Sequence, residues 1–164
     1  MTVLACACGK VEYDATEPAI LAVVCYCDDC QEAARRIEAL PNAPPVLEAD
    51  GGTSCVLYRK DRVRCTRGAD LVTALKLRDR TATNRLVATC CNSGLAMTFD
   101  DSKHWVPLFR ARFRGPVRPL DMRICTKFAP DPGRIPKDVP AHKSFAFSFI
   151  ARLLGSRLAM LFGR

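Results

Sequence analysis

Cysteines are the residues of this sequence whose type and spacing best suit them to chemistry. Cys25, Cys27 and Cys30 form a C-x-C-x-x-C motif. A thiolate needs a positive partner, and a divalent metal ion about 2.3 Å from each sulfur is the usual one. Because such short spacings let one tight turn direct several sulfurs at a single ion, the motif predicts a metal site. With an open fourth position the three ligands have the layout of a catalytic zinc, whereas a fourth protein ligand would close the site.

A second set of cysteines is split between two distant parts of the chain. Cys6 and Cys8 form a C-x-C-G motif, and Cys90 and Cys91 are adjacent. A structural zinc takes four ligands, so Cys90, with or without Cys91, is the natural source of the remaining donors. Successive strand residues face opposite ways, so both reach one metal only if the chain turns there, and Cys90 is favoured. The site would connect the first hairpin to a strand 82 residues later and would restrict the unfolded chain.

Ten cysteines in 164 residues could also form disulfides. The N-terminal sequence lacks the basic and apolar regions of an export signal. The expected compartment is therefore the reducing cytoplasm, where clustered cysteines are typical of metal ligands or catalytic thiols. Sulfur donors exclude magnesium and calcium and favour zinc, with an iron–sulfur cluster as the alternative.

The remaining cysteines and the two histidines are interpreted as structural or surface residues. Cys55, Cys65 and Cys125 are isolated in the sequence and are expected to be small buried hydrophobes. His104 and His142 are expected to be ordinary surface residues. None of these five residues is predicted to bind a metal.

The chain is basic, with a net charge of +8 from 25 Lys and Arg against 17 Asp and Glu. Much of the excess lies late, in the arginines from Arg110 onwards. Such a stretch is typical of a solvated face or of a surface that attracts anions. The basic residues are not interleaved with a repeated aromatic pattern, so no nucleic-acid partner is expected.

Hydrophobic patterning predicts a mainly β fold of small sheets around the zinc–cysteine sites, with two helices. One short helix should follow the C-x-C-x-x-C motif, over residues 31–40, and another should lie at the C-terminal end. Strands are predicted at residues 3–7, 10–14, 19–24, 54–59, 62–65, 71–77, 85–89, 95–99 and 106–113.

The organisation is interpreted as three parts. Residues 1–114 form the zinc-binding β domain, 115–140 a wrapping segment with six prolines, and 141–164 an amphipathic C-terminal helix. As a membrane span this helix would place Arg152 and Arg157 mid-bilayer, at a cost of about 2.5–3.5 kcal/mol each. It is therefore expected to pack on its own domain or in a homodimer, with contact to a membrane surface as the alternative.

The ordered cysteine motifs over about residues 4–100 resemble those of the glutathione-dependent formaldehyde-activating enzymes, a family that includes centromere protein V. The run from Cys25 to Gln31 is most similar to an uncharacterised bacterial branch. The resemblance implies a β-rich fold and two zinc ions per chain. The structural ion would be held by Cys6, Cys8 and the late motif, and the catalytic ion by the C-x-C-x-x-C cysteines. The family condenses glutathione with formaldehyde and is classed as a carbon–sulfur lyase.

One departure from the family pattern concerns the late motif, which is usually C-x-x-C-G. Here Ser93 stands where the second cysteine is expected. Either Cys91 substitutes for it, or the site uses three sulfurs and another donor.

Two functions follow as hypotheses. The first is an enzyme in which zinc at the C-x-C-x-x-C site activates a small thiol such as glutathione for addition to an aldehyde. Arg35 and Arg36 could meet a glutathione carboxylate, although they are also typical of solvated helix positions. The second is a non-catalytic zinc module that binds a partner or a membrane surface. A fourth protein ligand would favour the module, and an open position beside a pocket would favour the enzyme.

Overall fold

The computed structural model describes residues 1–163, and these contain eleven short strands and two α-helices. The strands are β1 (Thr2–Ala5), β2 (Glu12–Ala15), β3 (Leu21–Cys25), β4 (Thr53–Arg59), β5 (Val63–Arg67), β6 (Val72–Leu75), β7 (Thr83–Ala88), β8 (Ser93–Phe99), β9 (Trp105–Phe109), β10 (Phe113–Arg114) and β11 (Met122–Ile124). The helices are α1 (Asp28–Glu38) and α2 (Phe147–Leu161). The predicted mainly β fold, with a helix after the cysteine motif and another at the C-terminal end, is confirmed.

The strands form two sheets. A four-stranded sheet has the order β10-β1-β2-β5, and a seven-stranded sheet has the order β11-β3-β4-β9-β8-β7-β6. Neighbouring strands are antiparallel, except that β11 pairs in parallel with β3 and sets Ile124 opposite Cys25. The late segment thereby extends the sheet beside the C-x-C-x-x-C motif.

Side-chain alternation along the central strands builds a core on both faces of the seven-stranded sheet. On β4, Cys55 and Leu57 face a cluster that includes residues of both helices, such as Ile37 and Phe149. Val56 of the same strand faces the cluster that contains residues of the four-stranded sheet. The seven-stranded sheet therefore lies between the helices and the smaller sheet. Strands covered on both faces are near-continuously apolar, which explains the uninterrupted run in β3.

Contacts join the three parts into which the sequence was divided. β11 comes from the proline-rich segment and pairs with β3. Phe149 of α2 is 7% exposed and belongs to the same apolar cluster as residues of β3 and β4. Arg152 of α2 donates to Asp121 at 2.6 Å. The division of the chain into three parts stays an interpretation. The last residue of the predicted C-terminal helix, Arg164, lies outside the described residues.

The outer face of α2 remains apolar and exposed. Phe147 is 88% exposed, and Leu154, Leu158 and Leu161 of the same helix are also exposed. Within residues 1–163, neither helix combines the length and the apolar character required to cross a membrane.

Candidate metal centres

Four cysteines from two distant turns converge on one point, and we call them the hairpin cluster: Cys6, Cys8, Cys90 and Cys91. Their sulfurs all lie within 4.8 Å of one another. The sulfur–sulfur distances are 3.6 Å for Cys6 and Cys8, 3.4 Å for Cys8 and Cys90, and 3.9 Å for Cys90 and Cys91. A tetrahedron of sulfurs about 2.3 Å from a central zinc ion has edges of about 3.8 Å. The hairpin cluster thus has the spacing of a four-sulfur metal site.

Local turns direct these sulfurs together. Gly9 has φ +76°, in the left-handed region that glycine tolerates, and its N–H donates to the Cys6 carbonyl at 3.0 Å. The connection between β7 and β8 turns at Cys90 and Cys91, where Asn92 has φ +52°. This turn brings both adjacent cysteines into one cluster. The sequence favoured Cys90 over Cys91, and that preference stays a prediction.

Ser93, at the position of the missing family cysteine, supports the hairpin cluster through hydrogen bonds. Its hydroxyl oxygen accepts from the Ala7 N–H at 3.0 Å and lies 3.1 Å from the Cys91 sulfur. Burial raises the pKa of Cys91, but hydrogen bonds from Ser93 and Cys8 outweigh it and lower the pKa to about 6. Burial and hydrogen bonding to Cys8 raise the pKa of Cys90 to about 12. Cys91 is therefore the thiol of this pair that ionises more readily.

Cys25, Cys27 and Cys30 form a second group, the pocket cluster, whose sulfurs also lie within 4.8 Å of one another. Cys25 ends β3, Cys27 occupies the N-cap position of α1, and Cys30 lies in the first helical turn. The N–H groups of Cys30 and Gln31 both donate to the Cys27 carbonyl, at 3.0 and 3.1 Å. The N-terminus of a helix favours negative charge, including that of a thiolate.

Hydrogen bonds among the three sulfurs concentrate negative charge on Cys27. Cys27 accepts from the thiols of Cys25 and Cys30, which lower its pKa to about 3 against the opposing effect of burial. The pKa of Cys30 is lowered by Cys25, but the hydrogen bond to Cys27 and burial prevail and raise it to about 12. The cluster is thus poised to carry anionic sulfur.

Two cysteines that sequence analysis set aside also lie beside the pocket cluster. The thiol of Cys25 hydrogen-bonds to Cys125, which follows β11, and this bond lowers the pKa of Cys125. Cys55 on β4 is buried, and burial, with the charges of Cys30 and Cys27, raises its pKa. Both are buried, as expected of isolated cysteines, whereas the expectation of a buried Cys65 is wrong, because this residue is only partly buried. Cys125 is a neighbour of one cluster sulfur, but it does not belong to the mutually close group found within residues 1–163.

Each cysteine cluster has an arginine beside it, buried at the pocket cluster and partly buried at the hairpin cluster. Arg85 on β7 is 3% exposed, and Arg112 follows β9. Burial lowers the pKa of Arg85, whereas the negative charges of Cys30, Asp29 and Cys27 raise it. Burial likewise lowers the pKa of Arg112, opposed by Cys91 and Cys6. Within residues 1–163, neither guanidinium forms a salt bridge, and the Nε of each lacks a hydrogen-bond partner.

The pocket cluster lies on the wall of an apolar cavity of about 360 Å³. The cavity runs between the helix-facing side of the seven-stranded sheet and α2. Its polar lining groups, apart from the cysteines, are Asp29, Thr83, Arg85 and Lys103. Its apolar lining comes from Val23, Leu57, Met97, Phe99, Trp105, Pro107, Ile124, Phe145, Phe149, Ile150 and Leu153.

The other residues singled out in the sequence lie away from this cavity. Arg36 donates to Glu32 at 2.8 Å, and Arg35 is exposed. Neither lines the cavity. The expectation of a surface His104 is wrong, because this residue is 4% exposed and its Nε2 lies 2.7 Å from the Ser156 hydroxyl oxygen.

Sequence reasoning did not predict that Cys125 and Arg85 lie beside the pocket cluster. Arg85 did carry a signal, since it alternates with buried Val87 along a predicted strand and so faces inward. Cys125 carried none, because its position depends on the parallel pairing of β11 with β3.

Fold and site together define a mainly β protein with two cysteine clusters that could each hold a metal ion. The chain belongs to the family of unknown function DUF6151, whose pattern matches residues 1–163. No curated protein matches it. Among solved structures, the crystal structure of a Rhodobacter sphaeroides protein is similar, with 20% identity and a TM-score of 0.49 over 71% of this chain and 91% of that one. Neither match bears on the resemblance to the formaldehyde-activating enzymes.

Proposed function

We propose that both clusters bind zinc and that the pocket cluster is the active site of a carbon–sulfur lyase acting on a small thiol and an aldehyde. The observation that carries the proposal is the position of Cys25, Cys27 and Cys30 on the wall of an apolar cavity. Three sulfurs beside open space have the layout of a catalytic site, whereas the four sulfurs of the hairpin cluster have that of a structural one.

The buried Arg85 and the partly buried Arg112 support metal–thiolate centres at the two clusters. A buried cation is costly unless it is paired with negative charge. Arg85 and Arg112 have no carboxylate partner within residues 1–163, and the charges that oppose their desolvation are largely those of cysteines. Zinc with three or four thiolates keeps a net negative charge, of −1 or −2, for the guanidinium to balance. The donor sets therefore fit zinc.

The residues of the pocket would have different roles in the reaction: the cysteines hold the metal, Arg85 balances charge, and the apolar lining excludes water. Zinc held by the pocket cluster would lower the pKa of a bound thiol, so that the thiolate exists at neutral pH. In the reaction a bond forms between the thiol sulfur and the aldehyde carbon, the carbon–oxygen π bond opens, and the proton of the thiol ends on that oxygen. With glutathione and formaldehyde the product is S-hydroxymethylglutathione, as the family resemblance implies.

A second function, the non-catalytic zinc module, is favoured by one observation. The Cys125 thiol interacts with Cys25, and its sulfur could supply the fourth ligand that closes the site. In that case both zinc ions would only stabilise the fold.

Cobalt substitution separates the two functions. A thiol that joins three protein sulfurs intensifies the thiolate-to-cobalt charge-transfer band and reshapes the d–d bands. We expect glutathione or another small thiol to produce this change, and we expect the change to be absent in Cys27→Ser. A spectrum indifferent to glutathione, cysteine and other small thiols would exclude the enzyme and leave the module.

A further inference from the structure

We infer that the cavity beside the pocket cluster selects a thiol with an apolar body over glutathione, and that α2 provides the selecting surface. This inference rests on the proposed function and narrows its substrate class. The cavity of about 360 Å³ falls in the size range of small-molecule sites. An aromatic or branched aliphatic thiol fits its chemistry.

The lining explains the preference for an apolar body. From the sheet, Phe99, Trp105 and Met97 face the cavity, and Phe149 and Leu153 close it from α2. A ligand that extends from the cysteines into this space would contact carbon atoms on both sides. Burial of apolar surface against such a lining stabilises binding by about 25 cal/mol per Å².

Besides Arg85, the charged groups of the lining are Lys103 and Asp29, and both already have partners. Lys103 is ion-paired with Asp101, and its ammonium lies 5.0 Å from the centre of the Phe99 ring. The Asp29 carboxylate accepts from Arg78 at 3.1 Å.

Arg85 is the remaining cation of the lining, and it balances the cysteines. Glutathione carries two carboxylates and an ammonium group, and burial of a charge without a partner is costly. The lining thus offers these three charges no free counter-charge, and an uncharged thiol body avoids the cost.

Two signals test the inference on the full-length protein. Trp105 lines the cavity and is the only tryptophan of the chain, so its fluorescence reports occupancy. The spectrum of the cobalt-substituted protein reports coordination by sulfur. We expect phenylmethanethiol to change both signals at a concentration at least about tenfold below that required for glutathione. Benzyl alcohol, of similar shape but without a thiol, should change only the fluorescence.

Matched variants of α2 locate the selecting surface. Phe149 lines the cavity, whereas Phe147, two residues earlier on the same helix, is 88% exposed. Phe149→Ala should weaken phenylmethanethiol binding about tenfold and leave glutathione binding nearly unchanged, and Phe147→Ala should change neither. Ile150→Ala provides a second test, because Ile150 lines the cavity and yet is exposed, so its truncation disturbs the core less.

The outcomes separate this inference from the proposed function. Equal affinity for phenylmethanethiol and glutathione, or equal effects of Phe149→Ala and Phe147→Ala in folded protein, would overturn the inference and leave thiol coordination intact. If no thiol changes the cobalt spectrum, the proposed function fails and the apolar-thiol assignment fails with it, whatever benzyl alcohol does to the fluorescence.

Discussion

The guanidinium of Arg85 is buried beside Cys30, and negative charge on Cys30, Asp29 and Cys27 opposes the lowering of its pKa by desolvation. Arg112 has the corresponding relationship with Cys91 of the hairpin cluster. Both arginines have an Nε without a hydrogen-bond partner among the described residues. Negative charge on the sulfurs of each cluster would offset part of the cost of withdrawing the neighbouring guanidinium from water.

Replacing either arginine should lower metal affinity at the neighbouring cluster and leave the other cluster unchanged. Arg85→Leu is expected to lower metal affinity at the pocket cluster by about 10–100-fold, the usual effect of losing a group that supports metal ligands. Arg112→Leu should do the same at the hairpin cluster. Metal retained per chain during chelator competition, with the cobalt spectrum, measures each effect. The exposed Arg78→Ala serves as a control, and a loss of both metals in either variant would contradict the pairing.

Cys8→Ser should reduce stability more than Cys30→Ser. Cys8 lies 3.4 Å from Cys90, 82 residues away in the sequence, so the hairpin cluster joins distant strands. Loss of a cross-link that closes such a loop costs about 3–5 kcal/mol, whereas Cys30 lies next to its cluster partners in the sequence. Denaturant unfolding with zinc present measures the difference, and comparable losses would contradict this division of the two sites.

Cys125→Ala distinguishes a neighbour of the pocket cluster from a ligand. If three cysteines hold the metal, this variant should keep its metal and its cobalt response to thiols, because it loses only the interaction with Cys25 and some core packing. Cys65→Ala is the control, because Cys65 belongs to neither group of mutually close sulfurs. Loss of the pocket metal in Cys125→Ala alone would show that a fourth sulfur closes the site.

Local sequence spacing predicted both groups of cysteines and the helix that follows the C-x-C-x-x-C motif, since these features depend on residues close together in the chain. The contact of Cys125 with Cys25 depends on pairing between strands about a hundred residues apart, which no local pattern encodes. The sequence predicted that α2 packs on its own domain or in a homodimer, but its position over the cavity was not predicted, for a similar reason. The sequence of α2 has a clear helical period, but the surface against which Phe149 packs is formed by several strands.

Acid should weaken the attachment of α2 through Asp121. Burial raises the pKa of Asp121, but hydrogen bonds from Arg118, the Ala22 N–H and Arg152 outweigh it and hold the pKa at about 2. The unfolded value is about 3.9, so this stabilisation is present above that pH and is lost as pH falls from about 5 to 2. Asp121→Asn should cost about 2 kcal/mol at pH 7 and much less near pH 2. Unfolding free energies at both pH values provide the measurement, and a pH-independent difference would contradict it.

The exposed apolar face of α2 should govern association. Leu154 and Leu158 point away from the core and are exposed, so replacing both with Glu is expected to abolish self-association or binding to a membrane surface. Sedimentation with and without anionic vesicles distinguishes these two outcomes. Behaviour identical to that of the unchanged protein in both measurements would show that this face has no such partner.

Because α2 covers the pocket cluster and lies far after it in the chain, the cluster cysteines are synthesised well before the helix that covers them. Cys30 leaves the ribosome 123 residues before Leu153, the last α2 residue that lines the cavity. At 5–20 residues per second this interval lasts roughly 6–25 s. During it the three thiols are present without their apolar wall. A metal ion can therefore reach the nascent motif before the cavity that later restricts access has formed.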